Sequence, residues 1–499
     1  MTGAPEPQTS NTNRWTTLDR DLKRISRIEE ATTYVARPMV APSIALAFIV
    51  FAGIASAVLL GQFPVNMIVV TAAGFGAYMA INIGANDVAN NMGPAVGANA
   101  LTLGGAILIA AIFESAGALL AGGDVVSTIS KGIIDPSAVA DADTFIWAMM
   151  AALISSALWV NLATWIGAPV STTHSVVGGV MGAGIAAAGL ASVSWPTMGA
   201  IAASWVISPV LGGAVAAGFL ALIKHRIIYR EDKIAAARTW VPLLVAIMAG
   251  AFASYLALKG LKRVVRIDLS AALLIGLVVG GIAWAVARPL IHRQSEGLEN
   301  RNKSLKTLFG LPLVISAALL SFAHGANDVA NAVGPLAAIV HAAEAGDFAA
   351  RVAIPTWVMV IGAFGISFGL FLFGPKLIRM VGSQITKLNP MRAFCVALSA
   401  AITVIVASWL GLPVSSTHIA VGGVFGVGFY REWHMEQRRL RVSSAQRPPE
   451  QRLPRAERQR RKLVRRSHFM TIVAAWIVTV PAAALLSGGI FLVLNAVAN

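Results

Sequence analysis

Two identical seven-residue motifs, called the Asn-Asp words below, carry the polar groups most able to do chemistry in this chain. Residues 84–90 and 325–331 both read Gly-Ala-Asn-Asp-Val-Ala-Asn, and Gly-Pro follows each copy after two further residues. Carboxylate and amide oxygens are ligands of hard cations, and a carboxylate can also carry a proton. We therefore predict a cation- or proton-coupling site in which Asp87 and Asp328 are the candidate metal ligands. Its polar members are Asn86, Asp87, Asn90, Asn327, Asp328 and Asn331.

Helix capping is the alternative interpretation of these words, since Asn and Asp are preferred residues at a helix start. The Gly before and the Gly-Pro after each Asn-Asp pair favour an interrupted helix. A charge at the bilayer centre costs roughly 2.5–3.5 kcal/mol, so both aspartates need partners. Capping would explain one copy, whereas two identical copies in apolar segments favour a functional site.

A second pair of motifs, called the hydroxyl words below, carries hydroxyl groups. Residues 169–174 read PVSTTH and residues 413–418 read PVSSTH, and the 16-residue stretches that begin there share 11 residues. The proline ends one span, so the hydroxyls stand at the start of the next helix. A helix N-terminus offers free N–H groups and the positive end of its dipole, which bind an anion without Arg or Lys. The predicted substrate-binding residues are Ser171, Thr172, Thr173, Ser415, Ser416 and Thr417.

The alternative for these hydroxyls is that they only satisfy the backbone at a break in a membrane helix. His174 and His418, which end the words, are open between proton relay and a hydrogen bond to a neighbouring carbonyl. An anion at the helix starts would repel the two aspartates unless a cation or proton lay between them. The two pairs of words therefore predict a symporter in which anion and cation bind together.

Glu114 is a further acid inside an apolar run, IFESAGALLAG. Its counterpart region near Ile366, GISFGLFLFG, has no acid. The two interpretations are a carboxyl paired for packing and a proton or cation site, and we favour the second.

A hydrolase and a channel are the alternatives from other functional classes. Ser171, His174 and Asp87 supply the residue types of a nucleophile, a base and an orienting acid. Such a triad is needed once, whereas every element here is doubled, so we predict no catalytic residues. Paired broken helices with carboxylates favour coupled alternating access over open conduction.

The rest of the chain is made of apolar segments. It is 57% hydrophobic and 12% charged, with a mean hydropathy of +0.72, whereas a soluble domain is about 25% charged. About 12 or 13 runs are long enough to cross a hydrocarbon core of roughly 30 Å. The short Gly-rich runs 175–190 and 419–430 follow the hydroxyl words, which indicates re-entrant helices. We predict an all-α polytopic membrane protein with about 12 transmembrane helices in two repeats.

The duplicated words also predict the order of the parts, because repeat-built transporters place their sites where the halves meet. The sequence does not distinguish parallel from inverted repeats. The predicted parts are a polar N-terminal tail (1–40), a first membrane repeat with an additional span (41–190), connecting spans and loops (191–306), a second repeat (307–430), a basic loop (431–468) and a final helix (469–499).

Much of the net charge of +16 lies in the predicted loop 431–468, which has 13 Lys and Arg against 4 Glu. The loop lacks the folded platform and interleaved aromatic residues of a nucleic-acid site, so no nucleic acid is predicted as a partner. A basic juxtamembrane loop fits a cytoplasmic position. Segment 224–238 is predicted on the same side, and the acidic connections 122–145 and 340–350 outside. A basic run beginning at Lys259, one span after 224–238, conflicts with this orientation by charge alone.

The four words resemble the motifs of the inorganic phosphate transporter (PiT) family, in which each half carries a GANDVANA-like and a PVSTTH-like motif. The resemblance covers residues 66–430 and the last helix. It implies an inverted-repeat transporter with discontinuous helices in a bacterial inner membrane, inorganic phosphate as substrate, and no cofactor beyond a coupling cation. It places Asn86, Asp87, Asn327 and Asp328 at the coupling-cation and phosphate sites, puts the six hydroxyls close to the phosphate, and leaves a homodimer open.

The chain departs from the pattern of the sodium-coupled animal members at one point. Glu114 falls where those members carry one acid, but Ala397 stands where they carry the second. By analogy with bacterial members, a proton or a neutral divalent metal phosphate is favoured over sodium as the coupled species. A permease for sulfate or another oxyanion is the closest alternative, although carboxylate acceptors favour phosphate, which can donate a proton.

Overall fold

The computed structural model of the 499-residue chain describes residues 39–59, 67–166, 170–260, 267–345, 354–384, 388–446 and 466–498. Most of the predicted tail 1–40 and residues 447–465 of the predicted basic loop lie outside the described residues. The chain divides into two compact units, Met1–Phe48 and Ile49–Asn499. The described part of the first unit is helical, and the second unit holds both pairs of words.

The described residues are almost entirely helical, which confirms the predicted fold class. Eleven helical stretches among them are long and apolar enough to span a membrane. The helices are α1 (Met39–Leu59), α2 (Met67–Asn86), α3 (Val88–Gly97), α4 (Leu103–Ala121), α5 (Gly123–Ser127), α6 (Ala142–Ile166), α7 (Thr172–Ala188), α8 (Trp195–Ile223), α9 (Lys233–Tyr255), α10 (Leu269–Gln294), α11 (Asn302–Leu308), α12 (Gly310–Ala345), α13 (Thr356–Gln384), α14 (Pro390–Trp409), α15 (Ser416–Gln446) and α16 (Arg466–Ala498).

Close backbone contacts at glycines show that helices of the two halves pack directly against one another. Gly84 of α2 lies against the carbonyl of Ile366 in α13, and Gly325 of α12 lies against the carbonyl of Glu114 in α4. Only glycine permits helices to approach so closely. Ile366 is therefore the structural counterpart of Glu114, as the sequence predicted.

Helices α7 and α15, which begin at the hydroxyl words, make similar close contacts. Gly178 of α7 lies against Val480 of α16, and Gly422 of α15 lies against Pro209 of α8. The predicted short run 419–430 lies inside the longer helix α15. The matched elements are α2–α3 with α12, α4 with α13, α6 with α14, α7 with α15 and α8 with α16.

Helices α8 and α16 share packing positions, because each lies against the helix that begins at the hydroxyl word of the other half. The predicted end of the first repeat near residue 190 stays a prediction. One correction concerns residues 431–446 of the predicted basic loop, which continue helix α15.

Contacts between loops fix two ends of the helical body. Lys259 pairs with Asp124, and Ile134 forms a β-bridge with Val193, so these residues share what we term the acidic end. At the opposite end of α8, Lys224 lies over the ring of Tyr430, 4.8 Å from its centroid. We term this the basic end. The pairing with Asp124 places Lys259 at the acidic end, and the rest of that basic run lies outside the described residues.

The directions of the helices show that the repeats are inverted. Helix α7 runs from its polar word towards the acidic end, because its last residues approach Val193 through the turn at Leu190–Ser192. Helix α15 runs from the equivalent word towards the basic end, where Tyr430 meets Lys224. Equivalent helices therefore point in opposite directions, as the family resemblance implied.

Only one copy of the Asn-Asp word interrupts its helix. Asp87 separates α2 from α3, with its N–H donating to the Ile83 carbonyl at 2.9 Å and its own carbonyl accepting from Asn90 N–H at 2.9 Å. The second word lies inside α12, which continues unbroken through Pro335. The prediction of a break in both copies was wrong for the second, because residues 316–340 are all buried and neighbouring helices hold α12 together.

Candidate functional site

Asp87 joins the starts of the two re-entrant helices. Its Oδ2 accepts a 2.6 Å hydrogen bond from the Thr172 hydroxyl at the start of α7. Its Oδ1 accepts a 3.0 Å bond from the Thr417 hydroxyl at the start of α15. Asp87 is 1% exposed, so these hydroxyls replace water around its carboxylate.

Asp328 has a different set of partners. Its Oδ2 accepts a 3.0 Å hydrogen bond from Ser416 and lies 2.8 Å from Nε2 of His324, one helical turn earlier in α12. Its Oδ1 is buried without a hydrogen-bond partner among the described residues. The two aspartates of identical words are thus chemically unequal.

Asn90 and Asn331 connect each half to the opposite hydroxyl word. The Asn90 amide donates to the Thr417 hydroxyl at 2.9 Å, and the Asn331 amide donates to the Thr173 hydroxyl at 3.1 Å. Thr173 and Thr417 occupy equivalent positions, so the crossing contacts are symmetric. The structure therefore brings Asp87, Asp328, Asn90, Asn331 and the predicted threonines into one buried cluster.

Ser171 and Ser415 act as helix caps. The Ser171 hydroxyl accepts from the backbone N–H of His174 at 3.1 Å, and Ser415 accepts from that of His418 at 3.3 Å. The two histidine rings touch each other, with centroids 4.5 Å apart. The Asp87 carboxylate, the third member of the alternative Ser171–His174–Asp87 group, accepts hydrogen bonds from Thr172 and Thr417.

Asn86 and Asn327 direct their amide N–H groups away from the two aspartates. Asn86 donates to the Thr164 hydroxyl in α6 at 2.9 Å, and Asn327 donates to the Ser408 hydroxyl in α14 at 3.0 Å. Thr164 and Ser408 each stand five residues before the proline of a hydroxyl word. The two asparagines thus contact the helix that precedes each break.

Glu114 is paired with a residue that sequence reasoning missed. Its Oε2 lies 2.6 Å from Nδ1 of His324, and its Oε1 accepts from the Asn91 amide at 3.0 Å. Glu114 and His324 are both 0% exposed. The available signal was the residue before the duplicated word, which is His324 in the second copy and Ile83 in the first. Ile83 of the first half and Ile366 of the second stand at the positions equivalent to His324 and Glu114.

The sequence model of the Phosphate transporter family matches residues 83–487, which include all four words and both sets of re-entrant contacts. The chain belongs to the Phosphate transporter family.

Relatives in this family cover most of the chain. A protein of Helicobacter pylori described as a "putative phosphate permease" is 50% identical over 426 residues, 85% of this chain and 80% of that protein. A Haemophilus influenzae protein of the same description is 35% identical over 432 residues, 85% of this chain and 96% of its own length. A solved structure titled "The sodium-dependent phosphate transporter" superposes with a TM-score of 0.77 at 35% identity, over 86% of this chain and 99% of that one.

Family membership, together with the apolar spans, makes this chain a multi-pass plasma membrane protein. The side chains of the buried cluster around Asp87 and Asp328 offer atoms that suit a cation. Asp87, His324 and Asp328 each offer a ligand atom, and these atoms lie within 4.8 Å of one another. Oδ1 of Asp328 and Oδ1 of Asn331 are buried acceptors without a hydrogen-bond partner among the described residues. Acceptors held away from water without a donor are stabilised by a cation or a proton.

Proposed function

We propose that the chain carries inorganic phosphate across the membrane by cation-coupled symport. The observation that carries this proposal is the Asp87 carboxylate, which accepts hydroxyl hydrogen bonds from the starts of both re-entrant helices. The relatives described as phosphate permeases support phosphate as the substrate. Helix starts with free N–H groups suit a tetrahedral oxyanion.

The hydrogen bonds suggest how cation and anion binding are coupled. Thr172 and Thr417 donate to Asp87, and Ser416 donates to Asp328. These are hydroxyls that a phosphate at the helix starts would need as donors. A cation or proton on the carboxylates weakens their hold on the hydroxyls, which then rotate towards the anion. Each ligand thereby lowers the free energy of binding the other.

In this proposal the six hydroxyl residues bind phosphate, and Asp87, Asp328, Asn90, Asn331 and Glu114 serve the coupling ion. Asn86 and Asn327 act through the positions of the helix breaks. A catalytic role finds no support, since the Ser171 hydroxyl caps a helix and Asp87 bonds to threonines.

We favour a proton as the coupling ion, with divalent metal phosphate as a second form of the substrate. His324 lies between Glu114 and Asp328 with a carboxylate oxygen at each ring nitrogen. Each of the two contacts needs a proton between nitrogen and oxygen, whereas a neutral imidazole carries only one N–H. One additional proton is therefore needed to satisfy both contacts. The missing second acid at Ala397 supports the same preference. Sodium is the alternative, because the similar solved structure is titled sodium-dependent and the aspartate oxygens suit a hard cation.

Uptake of labelled phosphate into proteoliposomes under separately imposed gradients tests both parts. A proton gradient alone should drive accumulation, and a sodium gradient alone should not. Accumulation driven by sodium at equal pH would replace the proton with sodium and leave phosphate in place. No phosphate uptake under any gradient, with or without Mg²⁺, would overturn the proposed function.

A sulfate permease is the second candidate, since hydroxyls and helix starts also accept sulfate. Competition separates the two, because phosphate near neutral pH can donate a proton to Asp87 or Asp328 and sulfate cannot. Excess unlabelled phosphate or arsenate should abolish uptake of labelled phosphate while excess sulfate does not. Inhibition by sulfate alone would identify sulfate as the substrate.

A further inference from the structure

The proposed phosphate site depends on where α7 and α15 begin. In the second half, Asn327 contacts both sides of the break between α14 and α15. Its amide donates to the Ser408 hydroxyl at 3.0 Å and to the Leu412 carbonyl at 3.2 Å. Its carbonyl oxygen accepts from the backbone N–H of Val414 at 3.3 Å. One side chain thus ties the end of α14 to the residue just before the Ser415 cap.

The first half has the matching contact to the preceding helix. Asn86 donates to the Thr164 hydroxyl at 2.9 Å, and that hydroxyl donates in turn to the Val160 carbonyl at 2.8 Å. Thr164 is therefore both acceptor and donor, and its backbone bond fixes the hydroxyl for Asn86. The first pair differs in its hydroxyl residue, threonine against serine, but keeps the chemistry.

These contacts reach helices that lie outside the cluster around the aspartates. Thr164 lies on α6 and Ser408 on α14, and these two helices carry none of the predicted site residues. Asn86 and Asn327 are 3% and 1% exposed, so water does not compete for their amide groups. A buried hydrogen bond that loses one partner costs more than the bond itself contributes, because the remaining group stays desolvated.

We infer that Thr164 and Ser408 are positioning residues for phosphate binding. They hold Asn86 and Asn327 against the helices that precede the two hydroxyl words, α6 and α14, and so set the starts of α7 and α15. This inference rests on the proposed function for its transport readout. Its structural readout, the exposure of the helix starts, is independent of any substrate.

The variants are Thr164→Val and Ser408→Val, with Thr164→Ser and Ser408→Thr as conservative partners that keep the hydroxyl. Thr403→Val is the matched control, because the Thr403 hydroxyl only donates back to the Ser399 carbonyl in its own helix, at 2.8 Å. Each protein is purified at full length and reconstituted. Phosphate uptake gives KM and kcat, and hydrogen–deuterium exchange reports the amides near His174 and His418.

Loss of either hydroxyl should raise KM for phosphate by about tenfold while kcat falls less, as expected for one unsatisfied buried donor. Exchange should increase at the start of α7 in Thr164→Val and at the start of α15 in Ser408→Val. The conservative variants should restore wild-type KM and exchange, and Thr403→Val should leave both unchanged. In an Asn86→Ala background, Thr164→Val should have no further effect on either quantity.

Unchanged exchange at the helix starts in both valine variants would overturn the inference, whatever the uptake results. Additive effects of Asn86→Ala and Thr164→Val would also overturn it, since the hydroxyl would then act through another group. If the wild-type protein carries no phosphate but the exchange pattern is as expected, Thr164 and Ser408 still position the helix starts and the proposed function fails. A valine variant that does not fold is replaced by Thr164→Ala or Ser408→Ala, judged by the same exchange measurement.

Discussion

At the scale of single residues, identical words have produced two unequal carboxylates. Asp87 has hydroxyl partners from both halves, whereas Asp328 has one hydroxyl and the His324 ring. The inequality comes from the residue before each word, Ile83 or His324, and from Glu114 opposite. A repeat that is symmetric in its motifs can therefore bind its coupling ions asymmetrically.

Asp87→Asn and Asp328→Asn should each abolish phosphate uptake while the protein still inserts into the membrane. A neutral amide is cheaper to bury than a carboxylate but cannot balance a cation. Uptake by reconstituted protein, normalised to the inserted amount, measures the effect. Transport retained in both variants would return the aspartates to a capping role.

The equivalent positions Ile83 and Ile366 indicate how the Glu114–His324 pair can be removed. Glu114→Ile or His324→Ile alone leaves part of a buried ionic network uncompensated, which typically costs about 3–5 kcal/mol. The double variant recreates the Ile83–Ile366 arrangement and should be more stable than either single variant, as measured by thermal unfolding in detergent. It should still carry phosphate but lose its response to a proton gradient. A double variant less stable than both single variants would show that the two halves do not share this packing.

At the scale of helices, glycines determine which elements can meet. A Cβ at Gly325 would overlap the Glu114 carbonyl, and one at Gly84 would overlap the Ile366 carbonyl. These contacts place Glu114 beside α12 and so bring it to His324. The sequence predicted the importance of the words around these glycines, but not the helices against which they pack.

Gly325→Ala should separate α12 from α4 and lower stability by about 1–3 kcal/mol, as overpacking commonly does. Gly281→Ala in α10 is the control, because a Cβ there meets nothing within 4 Å and alanine favours a helix by up to about 1 kcal/mol. Thermal unfolding of the two purified variants compares them. Equal stability would show that α12 and α4 have room to accommodate a methyl group.

At the scale of the molecule, the inverted repeat gives the two ends opposite character. Lys224 and Tyr430 meet at the basic end, and Asp124 and Lys259 meet at the acidic end. Basic segments beside membrane spans are retained in the cytoplasm. The basic end is therefore expected inside the cell.

Single cysteines test this orientation. Cys395 is buried and is the chain's one cysteine, so a Cys395→Ala background is free of thiols. Ala191→Cys at the acidic end and Glu231→Cys at the basic end lie at exposed positions. A membrane-impermeant thiol reagent added to intact cells should label the first and reach the second only after lysis. Labelling of Glu231→Cys in intact cells, with Ala191→Cys reached only after lysis, would contradict this orientation.

The sequence by itself determined the class of the protein and most of its site. Apolar runs require membrane helices, and the duplicated words identified the aspartates, asparagines and hydroxyls that meet in the buried cluster. These conclusions needed only local chemistry, because a polar group in a membrane segment must have a reason to be there. Glu114 and its unmatched counterpart Ile366 were also visible at this level.

Only the tertiary structure decided how those residues combine. The inverted direction of the repeats, the packing of α8 on α15 and the unbroken course of α12 depend on contacts between distant segments. His324 was missed because a lone histidine carries no signal until Glu114, far away in sequence, is placed beside it. Asn86 and Asn327 are predicted ion ligands from the sequence, and the structure adds the contact that each amide makes with a hydroxyl on another helix. Packing between helices determines which polar groups become neighbours, and that information is not contained in any one segment.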